Sequence, residues 1–343
     1  GSYPTRFSAS RRPLASAPRV AQIRGMAAQP SPARSGPPGA SPPIHPVLVL
    51  VVAVGAMAWA APLIRFATAP ALAIAAWRLA FSALFIGLVL LMRPGDEARP
   101  RLAPRDWGLT LLAGGALAGH FWSWIAAVQL TTVASAAVLV ALQPLFVAVL
   151  SIVFLGERPG GREWGGITLA VAGAVVVGWG DLALGGRALF GDALALGGGV
   201  LMAVYLIVGR SLRPKMDLWR YTGLVYGTAA VVLVLAVLSH PAVDLTGYPR
   251  TDWLVFLALA AGPMMLGHTG MNYAVRYVPA YAVTLAALAE PIGSTVIAWV
   301  LPAIAEVPSP RTLFGGAAIL IGIVVGLWPS APGEDGSGGA GQP

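Results

Sequence analysis

The sequence contains no cysteine and few charged residues. The absence of cysteine from its 343 residues excludes disulfides, thiolate metal sites and thiol nucleophiles. Only 10% of the residues are charged, whereas about 25% are charged in a soluble domain, and so few charges cannot cover a surface that faces water. Hydrophobic residues make up 57% of the chain and form long runs between residues 46 and 328. The composition therefore indicates an integral membrane protein.

The chain also lacks the common catalytic motifs. It has no HExxH, no GxSxG and no Walker loop, which argues against a zinc protease, a serine hydrolase and an ATP-driven pump. Residues 178–181 spell GWGD, the GxGD string of membrane aspartyl proteases, but that chemistry needs a second aspartate and no other lies mid-helix. We predict no enzymatic activity, no cofactor and no metal site. An intramembrane enzyme, a channel and a scaffold or receptor are the rival hypotheses.

Ten apolar runs are long enough to cross a bilayer, for which a helix needs about 20 apolar residues. The sequence therefore predicts an all-α integral membrane protein with ten transmembrane helices. They are expected at residues 46–66, 71–92, 106–127, 132–155, 163–180, 189–209, 219–239, 252–275, 279–301 and 311–328.

Lysine and arginine are distributed unevenly between the predicted loops. If the N-terminus is cytoplasmic, the cytoplasmic segments hold 17 of these residues and the outer loops hold four. Because positively charged loops stay in the cytoplasm, we predict that both termini are cytoplasmic and that the protein lies in the inner membrane. These loops also explain the net charge of +8. Nucleic-acid binding is not expected, since no basic-aromatic module stands outside the membrane.

The two terminal segments lack apolar periodicity. Residues 1–45 are rich in Pro, Ser, Ala and Arg, and residues 329–343 are rich in Gly, Pro and Ser. We expect both tails to be disordered and the basic N-terminal tail to contact anionic lipid. Gly1-Ser2 fits a cloning remnant and Met26 fits a natural start. No signal-peptide cleavage is expected after Ala60, because the apolar run continues past it.

The sequence repeats itself at a spacing of about 148 residues, which indicates duplicated units. Each copy holds five predicted helices, so the second copy must cross the membrane in the opposite orientation. Inverted repeats are typical of secondary transporters, whose substrate site lies near the bilayer midplane. The matching pairs are Asp106-Trp107 with Asp252-Trp253, Gly119-His120 with Gly267-His268, Pro144 with Pro291, Glu157-Arg158-Pro159 with Glu306-Val307-Pro308, and Gly166 and Gly173 with Gly315 and Gly322.

Residues 141–178, ALQPLFVAVLSIVFLGERPGGREWGGITLAVAGAVVVG, carry a family pattern. It consists of a proline in the fourth helix, Glu157 at the end of that helix, Trp164 with paired glycines at the start of the fifth, and Gly173 within it. Residues 75–91 and 191–212 are similar to the second and sixth helices of the same pattern. Over residues 46–328 the chain thus resembles the EamA-like branch of the drug/metabolite transporter superfamily. The second copy departs from the pattern at Leu313, which stands where the first has Trp164.

The resemblance implies two five-helix repeats, at residues 46–180 and 189–328, and transport by alternating access. It implies a secondary transporter that moves a small molecule outward across the inner membrane. Family substrates include amino acids, purines, sugars and amphiphilic drugs, and the YddG-type amino-acid exporters are one branch. We expect an amino acid or a similar metabolite, with protons as a candidate coupling ion. A multidrug, nucleoside or other metabolite carrier of the same fold is the alternative.

Glu290 and Gln143 lie at equivalent depths in the predicted ninth and fourth helices. A charge within the bilayer costs at least ~2.5–3.5 kcal/mol, so ionisable residues there are functional candidates. Pro291 and Pro144 follow them directly, and each proline frees a backbone carbonyl one turn earlier. Such carbonyls are tolerated where they line a cavity. We predict a helix break at each proline and a cavity lined by Glu290 and Gln143. Glu290 would bind a substrate amine or a proton, and a purely structural carboxylate is the alternative.

Arg78 and two histidines are further candidates within the predicted helices. Arg78 could hold a substrate carboxylate, but a structural ion pair with Glu290 or an extension towards the interface is favoured. His120 and His268 occupy equivalent positions in the two repeats. They could bind substrate or carry protons, since histidine titrates near neutral pH, or form interhelical hydrogen bonds. Two histidines without a carboxylate at ligand spacing do not indicate a metal site.

Four more side chains complete the predicted cavity. Trp124 follows His120 by four residues and Asn272 follows His268 by four, which places each pair on one helix face. Trp59 and Tyr205 also lie deep in predicted helices. We predict that Trp59, Trp124, Tyr205 and Asn272 line a pocket for a flat or apolar substrate, with packing as the alternative for each aromatic residue.

Overall fold

A computed structural model of the chain describes residue 1 and residues 42–93, 102–131, 133–157, 159–178, 186–305, 307 and 310–327. Within these ranges the chain forms ten helical segments and no strand. They are α1 (Pro46–Ile64), α2 (Ala71–Met92), α3 (Pro104–Leu130), α4 (133–155), α5 (Gly161–Gly178), α6 (Gly186–Leu212), α7 (Leu218–Leu238), α8 (Arg250–Ala274), α9 (Ala280–Val300) and α10 (Pro310–Leu327).

Seven helices in the described part of the chain are long and apolar enough to cross a membrane: α1, α2, α3, α6, α7, α8 and α9. Helices α4 and α10 contain the shorter apolar stretches Gln143–Leu155 and Leu313–Gly326. The prediction of an all-helical membrane protein with ten helices is therefore confirmed. No predicted helix end lies more than three residues from the end that the structure describes, because Arg, Pro or Gly flanks most of the apolar runs.

Several predictions concern residues outside the described ranges. These are residues 2–41 of the N-terminal tail, the C-terminal tail at residues 329–343, and residues 179–181 of the GxGD string. Arg158, Glu306 and Pro308 of the repeated Glu-x-Pro motif also lie outside them.

Helices α4 and α9 are both interrupted just before a proline. In α4, one piece ends at Val140 and the next begins at Gln143, and in α9 one piece ends at Ala287 and the next begins at Ala289. A proline has no N–H to donate to the carbonyl four residues earlier. For Pro144 and Pro291 those carbonyls belong to Val140 and Ala287, the residues at which the first pieces end. The two breaks therefore follow directly from the two prolines.

Two further segments are wound as π-helices. Residues Ser151–Leu155 form one at the end of α4, and Ala260–His268 form one in the middle of α8, with Pro263 inside it. A proline has no N–H to donate, and a π-turn allows the helix to continue past it. Segments of π-helix often occur at functional sites. The one in α8 ends at His268, a predicted cavity residue.

Helices α5 and α10 pack face to face through glycines. A Cβ at Gly166 would lie 2.5 Å from the carbonyl oxygen of Gly322, and a Cβ at Gly173 would lie 2.5 Å from that of Gly315. Later residues of α5 thus contact earlier residues of α10, so the two helices run antiparallel. The other main pairs are α3 with α6, α1 with α8, α4 with α6, and α2 with α7.

The bundle has two ends, which we name after the orientation predicted from the sequence. The inner end is where α2 ends and α3 begins, and it includes the loop between α6 and α7. The outer end is the opposite one and includes the loops from α1 to α2 and from α7 to α8.

Candidate functional site

A small cavity lies between α1, α2, α3, α4, α6, α8 and α9. Its polar lining consists of Arg78, His120, Gln143, His268 and Glu290, all of which are candidates from the sequence. They belong to five different helices that are far apart in sequence, so the fold brings the scattered intramembrane polar groups of both repeats to one place.

The rest of the lining is apolar and the cavity is narrow. The centre of a water molecule has about 20 Å³ in which to move, little more than the roughly 10–15 Å³ that a single buried water needs. This conformation therefore holds about one water and has no room for an amino acid. The apolar lining residues are Met57, Ala60, Phe121, Trp124, Val140 and Met202.

Arg78 is buried on the cavity wall and is only 1% exposed. Its guanidinium carbon lies 4.0 Å from the centre of the Phe121 ring. Its Nε and Nη1 atoms have no hydrogen-bond partner, and no ion pair joins it to Glu290 within the described residues. Arg78 thus neither reaches the surface nor lies at salt-bridge distance from Glu290, and a functional interaction between the two charges stays a prediction. In this structure the face of an aromatic ring contacts the guanidinium.

Glu290 and Gln143 both line the cavity at the start of half-helices. Glu290 lies in the first turn of Ala289–Val300 and Gln143 begins Gln143–Leu150. The positive end of a helix dipole favours a carboxylate in its first turn, so the break before Pro291 creates a position that suits Glu290. Gln143 is 5% exposed and Glu290 is partly buried.

The two histidines have different surroundings although they occupy equivalent positions. The Nδ1 atom of His120 lies 2.9 Å from the carbonyl oxygen of Gly198, which joins α3 to α6. The Nδ1 atom of His268 is buried without a hydrogen-bond partner. Their ring centres are 6.2 Å apart. His120 thus has a structural bond, whereas His268 has a free ring nitrogen at the cavity.

The two predicted cavity tryptophans lie in different places. Trp124 is 4% exposed, lines the cavity, and has an indole N–H without a hydrogen-bond partner. Trp59 is 45% exposed and does not belong to the cavity lining. It lies where the helix of α1 is interrupted after Met57, and this interruption turns it towards the outside of the bundle.

Tyr205 and Asn272 lie in a separate buried network beside the cavity. The Asn272 Nδ2 group donates to the Tyr205 hydroxyl, and also to the carbonyl oxygen of His268 at 2.9 Å. The Tyr226 hydroxyl lies 3.1 Å from Thr269 Oγ1. These groups bond to one another and do not line the cavity, so Asn272 acts on it only through the backbone of His268.

Charged contacts close the inner end of the bundle. Arg210 at the end of α6 donates from Nε to Glu157 Oε1 at 2.6 Å, and from Nη1 to the carbonyl oxygen of Val275 at 2.8 Å. Lys215 contacts Asp106 of α3 at 2.8 Å. Arg213 donates from Nε to the Asn272 carbonyl oxygen at 2.9 Å. Burial lowers the pKa of Arg213 to about 10, which leaves it charged at neutral pH.

Neutral and aromatic contacts dominate at the outer end. Asp252 at the start of α8 accepts hydrogen bonds from the backbone N–H of Thr68 at 3.0 Å and from its hydroxyl at 2.9 Å. The Trp77 indole donates to the carbonyl oxygen of Leu245 at 2.8 Å and packs on Trp253 with ring centres 4.7 Å apart. Contacts between helices therefore join the bundle at both ends.

Sequence reasoning missed the apolar half of the lining. Met57, Val140 and Met202 have no feature that distinguishes them from core residues. Phe121 had a usable signal, because it lies three residues before Trp124 and therefore on the same helix face.

Comparison with known proteins identifies the family. Residues 45–179 and residues 189–328 each match the EamA-like transporter family. The chain belongs to the EamA-like transporter family. It is thus a membrane transporter of the drug/metabolite superfamily and not an enzyme, as predicted, and its substrate is a small molecule. Two matches in one chain are the mark of a duplicated EamA unit.

Individual relatives of this EamA-family chain are distant. An uncharacterized transporter of Archaeoglobus fulgidus is 27% identical over 203 residues, which is 59% of this chain and 70% of the relative. A probable terminal-alkyne amino-acid exporter of Streptantibioticus cattleyicolor is 30% identical over 199 residues, which is 56% of this chain and 63% of the relative.

A solved crystal structure has the same fold. It superposes with a TM-score of 0.66 at 22% sequence identity and covers 82% of this chain and 96% of the other. At this identity the likeness concerns the fold alone.

Proposed function

We propose that the two EamA units, residues 46–180 and 189–328, form an inverted pair that transports by alternating access. The antiparallel contact of α5 with α10 supports this, because these helices occupy equivalent places in the two units. If the two units are exchanged, α3 takes the place of α8 and α6 takes the place of α1. The contact of α3 with α6 then becomes the contact of α8 with α1, and both contacts are present, as a two-fold axis in the membrane plane requires.

The substrate in this proposal is a small amino acid with an apolar side chain. One observation carries it: a cation, Arg78, and a carboxylate, Glu290, line one cavity without an ion pair within 4 Å between them. A zwitterionic amino acid brings a carboxylate to Arg78 and an ammonium to Glu290. It thereby compensates two charges that are costly to bury alone. Met57, Val140 and Met202 then face the substrate side chain.

Transport is outward across the inner membrane, with both termini in the cytoplasm. The inner end holds most of the loop arginines and lysines, which favours a cytoplasmic location for it. The outward direction follows the relative from Streptantibioticus cattleyicolor, whose name describes an amino-acid exporter.

In this proposal the narrow cavity corresponds to a state of the cycle that holds no substrate. Because about 20 Å³ holds one water and no substrate, loading requires the walls to separate. Opening at the inner end would break the Arg210–Glu157 contact, and opening at the outer end would break the Thr68–Asp252 contact. The two ends open in turn, so no continuous pore forms.

Counterflow in proteoliposomes tests the proposal, with labelled L-leucine as the probe. Two competitors each keep one charged group of leucine: 4-methylpentanoate lacks the amine, and 3-methylbutylamine lacks the carboxylate. Arg78→Gln is expected to lose inhibition by the acid but not by the amine, and Glu290→Gln is expected to show the reverse. The controls are Arg311→Gln and Asp244→Asn, which change exposed residues and should leave both inhibitions intact.

Three results would contradict the proposal. Absence of counterflow with preserved flux down a gradient would indicate a channel. Inhibition by neither leucine fragment would exclude an amino acid, and a panel of labelled nucleosides and drugs would then identify another class. A Glu290→Gln variant that keeps wild-type transport with and without a pH gradient would remove the role of that carboxylate.

A further inference from the structure

Phe121 is a cavity residue that contacts both Arg78 and His268. It is 1% exposed and lines the cavity. Its ring lies 4.0 Å from the guanidinium carbon of Arg78 and 4.9 Å from the ring centre of His268, to which it is nearly perpendicular at 70°. One apolar side chain on α3 therefore contacts the cation on α2 and the imidazole on α8.

The kind of group that contacts Arg78 determines whether its N–H donors can still bind a substrate. A carboxylate partner would accept the N–H groups of the guanidinium along an edge. An aromatic ring attracts the cation through its π-electron face, and the attraction is stronger away from water. The ring has no lone pairs that would saturate the N–H donors. This matches the structure, in which Nε and Nη1 of Arg78 have no hydrogen-bond partner although they are buried.

We propose that Phe121 is a positioning residue that holds the Arg78 guanidinium by its face, so that its edge donors stay available for a substrate carboxylate. The inference rests on the proposed function and extends it, because it assigns substrate affinity to a residue that itself forms no hydrogen bond. The substrate class that this role requires bears a carboxylate or a similar planar anion. Such an anion binds along an edge of the guanidinium, and each edge that can bind it includes Nε or Nη1.

The test compares Phe121→Leu with Phe256→Leu. Phe256 is also fully buried and lies in an aromatic cluster, with its ring 5.6 Å from Trp253, but it does not line the cavity. Both variants lose one buried ring, so they separate a loss of packing from a loss of Arg78 positioning. Each is measured for melting temperature, for KM and maximal rate of L-leucine counterflow, and for inhibition by 4-methylpentanoate and 3-methylbutylamine.

Phe121→Leu is expected to raise the KM for L-leucine about tenfold and to weaken inhibition by 4-methylpentanoate equally. Inhibition by 3-methylbutylamine should be unchanged, because that amine does not use Arg78. Phe121→Trp should restore acid binding, since tryptophan is the best partner for a cation. Phe256→Leu should lower the melting temperature without changing the preference for acid over amine. If Phe121→Leu does not fold, Phe121→Met keeps most of the volume and replaces it in the comparison.

Two outcomes overturn the inference. In one, Phe121→Leu or Phe121→Met weakens inhibition by 4-methylpentanoate and inhibition by 3-methylbutylamine in equal proportion. In the other, it matches Phe256→Leu in every readout. A failure of the proposed function is distinguishable, because the wild type would then show no inhibition by the acid, or Arg78→Gln would leave that inhibition intact.

Discussion

Gly166 of α5 lies directly against Gly322 of α10, so that a Cβ on Gly166 would be 2.5 Å from the Gly322 carbonyl oxygen and a Cβ on Gly322 would be 2.6 Å from that of Gly166. The two backbones can approach this closely only because neither residue has a side chain. This contact joins the last helix of one EamA unit to the last helix of the other.

Gly166→Ala should therefore destabilise the protein. The added methyl group meets backbone rather than a flexible side chain, so the helices must separate, at a cost of about 1–3 kcal/mol in unfolding free energy. Thermal unfolding in detergent checks this. The matched control is Gly165→Ala, whose Cβ would meet nothing within 4 Å. Equal melting temperatures for the two variants would refute the close contact.

Glu157→Gln should loosen the inner end. Glu157 and Arg210 are only partly exposed, at 20% and 16%, so losing this pair matters more than losing an exposed one. With a cysteine introduced at Val140 on the cavity wall, we expect that thiol to react severalfold faster with a reagent supplied from the inner side. Arg93→Gln is the control, because the Arg93–Asp217 pair is 46% and 45% exposed. Indistinguishable rates in the two variants would remove the gating role of Glu157.

The two histidines should respond differently to replacement by leucine. His120→Leu removes the hydrogen bond to the Gly198 carbonyl oxygen that joins α3 to α6 and should lower the unfolding free energy by about 0.5–1.5 kcal/mol. His268→Leu removes a nitrogen that has no hydrogen-bond partner, so stability should change little while the KM for L-leucine rises. Melting temperatures and counterflow measure the two effects. The assignment is wrong if both variants lose the same stability and transport equally.

Trp124→Phe should alter transport and Trp59→Phe should not. The first change removes an unpartnered N–H from the cavity wall, whereas Trp59 is 45% exposed and outside the lining. A severalfold change in the KM for L-leucine is expected for Trp124→Phe, with less than about a twofold change for Trp59→Phe, as for most exposed positions. Counterflow kinetics decide between them, and a large effect of Trp59→Phe would place that side chain in the transport path.

The helices and much of the cavity were predictable because the membrane restricts the possibilities. Apolar runs define spans, and an ionisable group inside a span needs either a partner or a cavity. Arg78, His120, His268 and Glu290 therefore had to lie away from lipid. The breaks before Pro144 and Pro291 followed from the missing proline N–H alone.

Contacts between helices were harder to predict. Tyr205 and Asn272 lie as deep as the cavity residues, but the rotation of α6 and α8 directs them towards each other. Trp59 lies beside the interruption of α1, which Pro62 does signal because it cannot donate to the Ala58 carbonyl oxygen four residues earlier. The proline does not give the direction of the Trp59 side chain. The stacking of Arg78 on Phe121 depends on the packing of α2 against α3, and the spacing of residues within either helix does not predict that packing.

The central claim is that one cavity opens in turn to each side of the membrane, and labelling of a cysteine at Val140 tests it most directly. The chain has no native cysteine, so Val140→Cys introduces a single thiol on the cavity wall, and Val231→Cys provides a control at a position that is 59% exposed on the bundle surface. A membrane-impermeant maleimide should label the Val140→Cys variant in both right-side-out and inside-out vesicles, more slowly with excess L-leucine, and should not label the control. Labelling of the Val140→Cys variant from only one side, with or without L-leucine, would contradict the account.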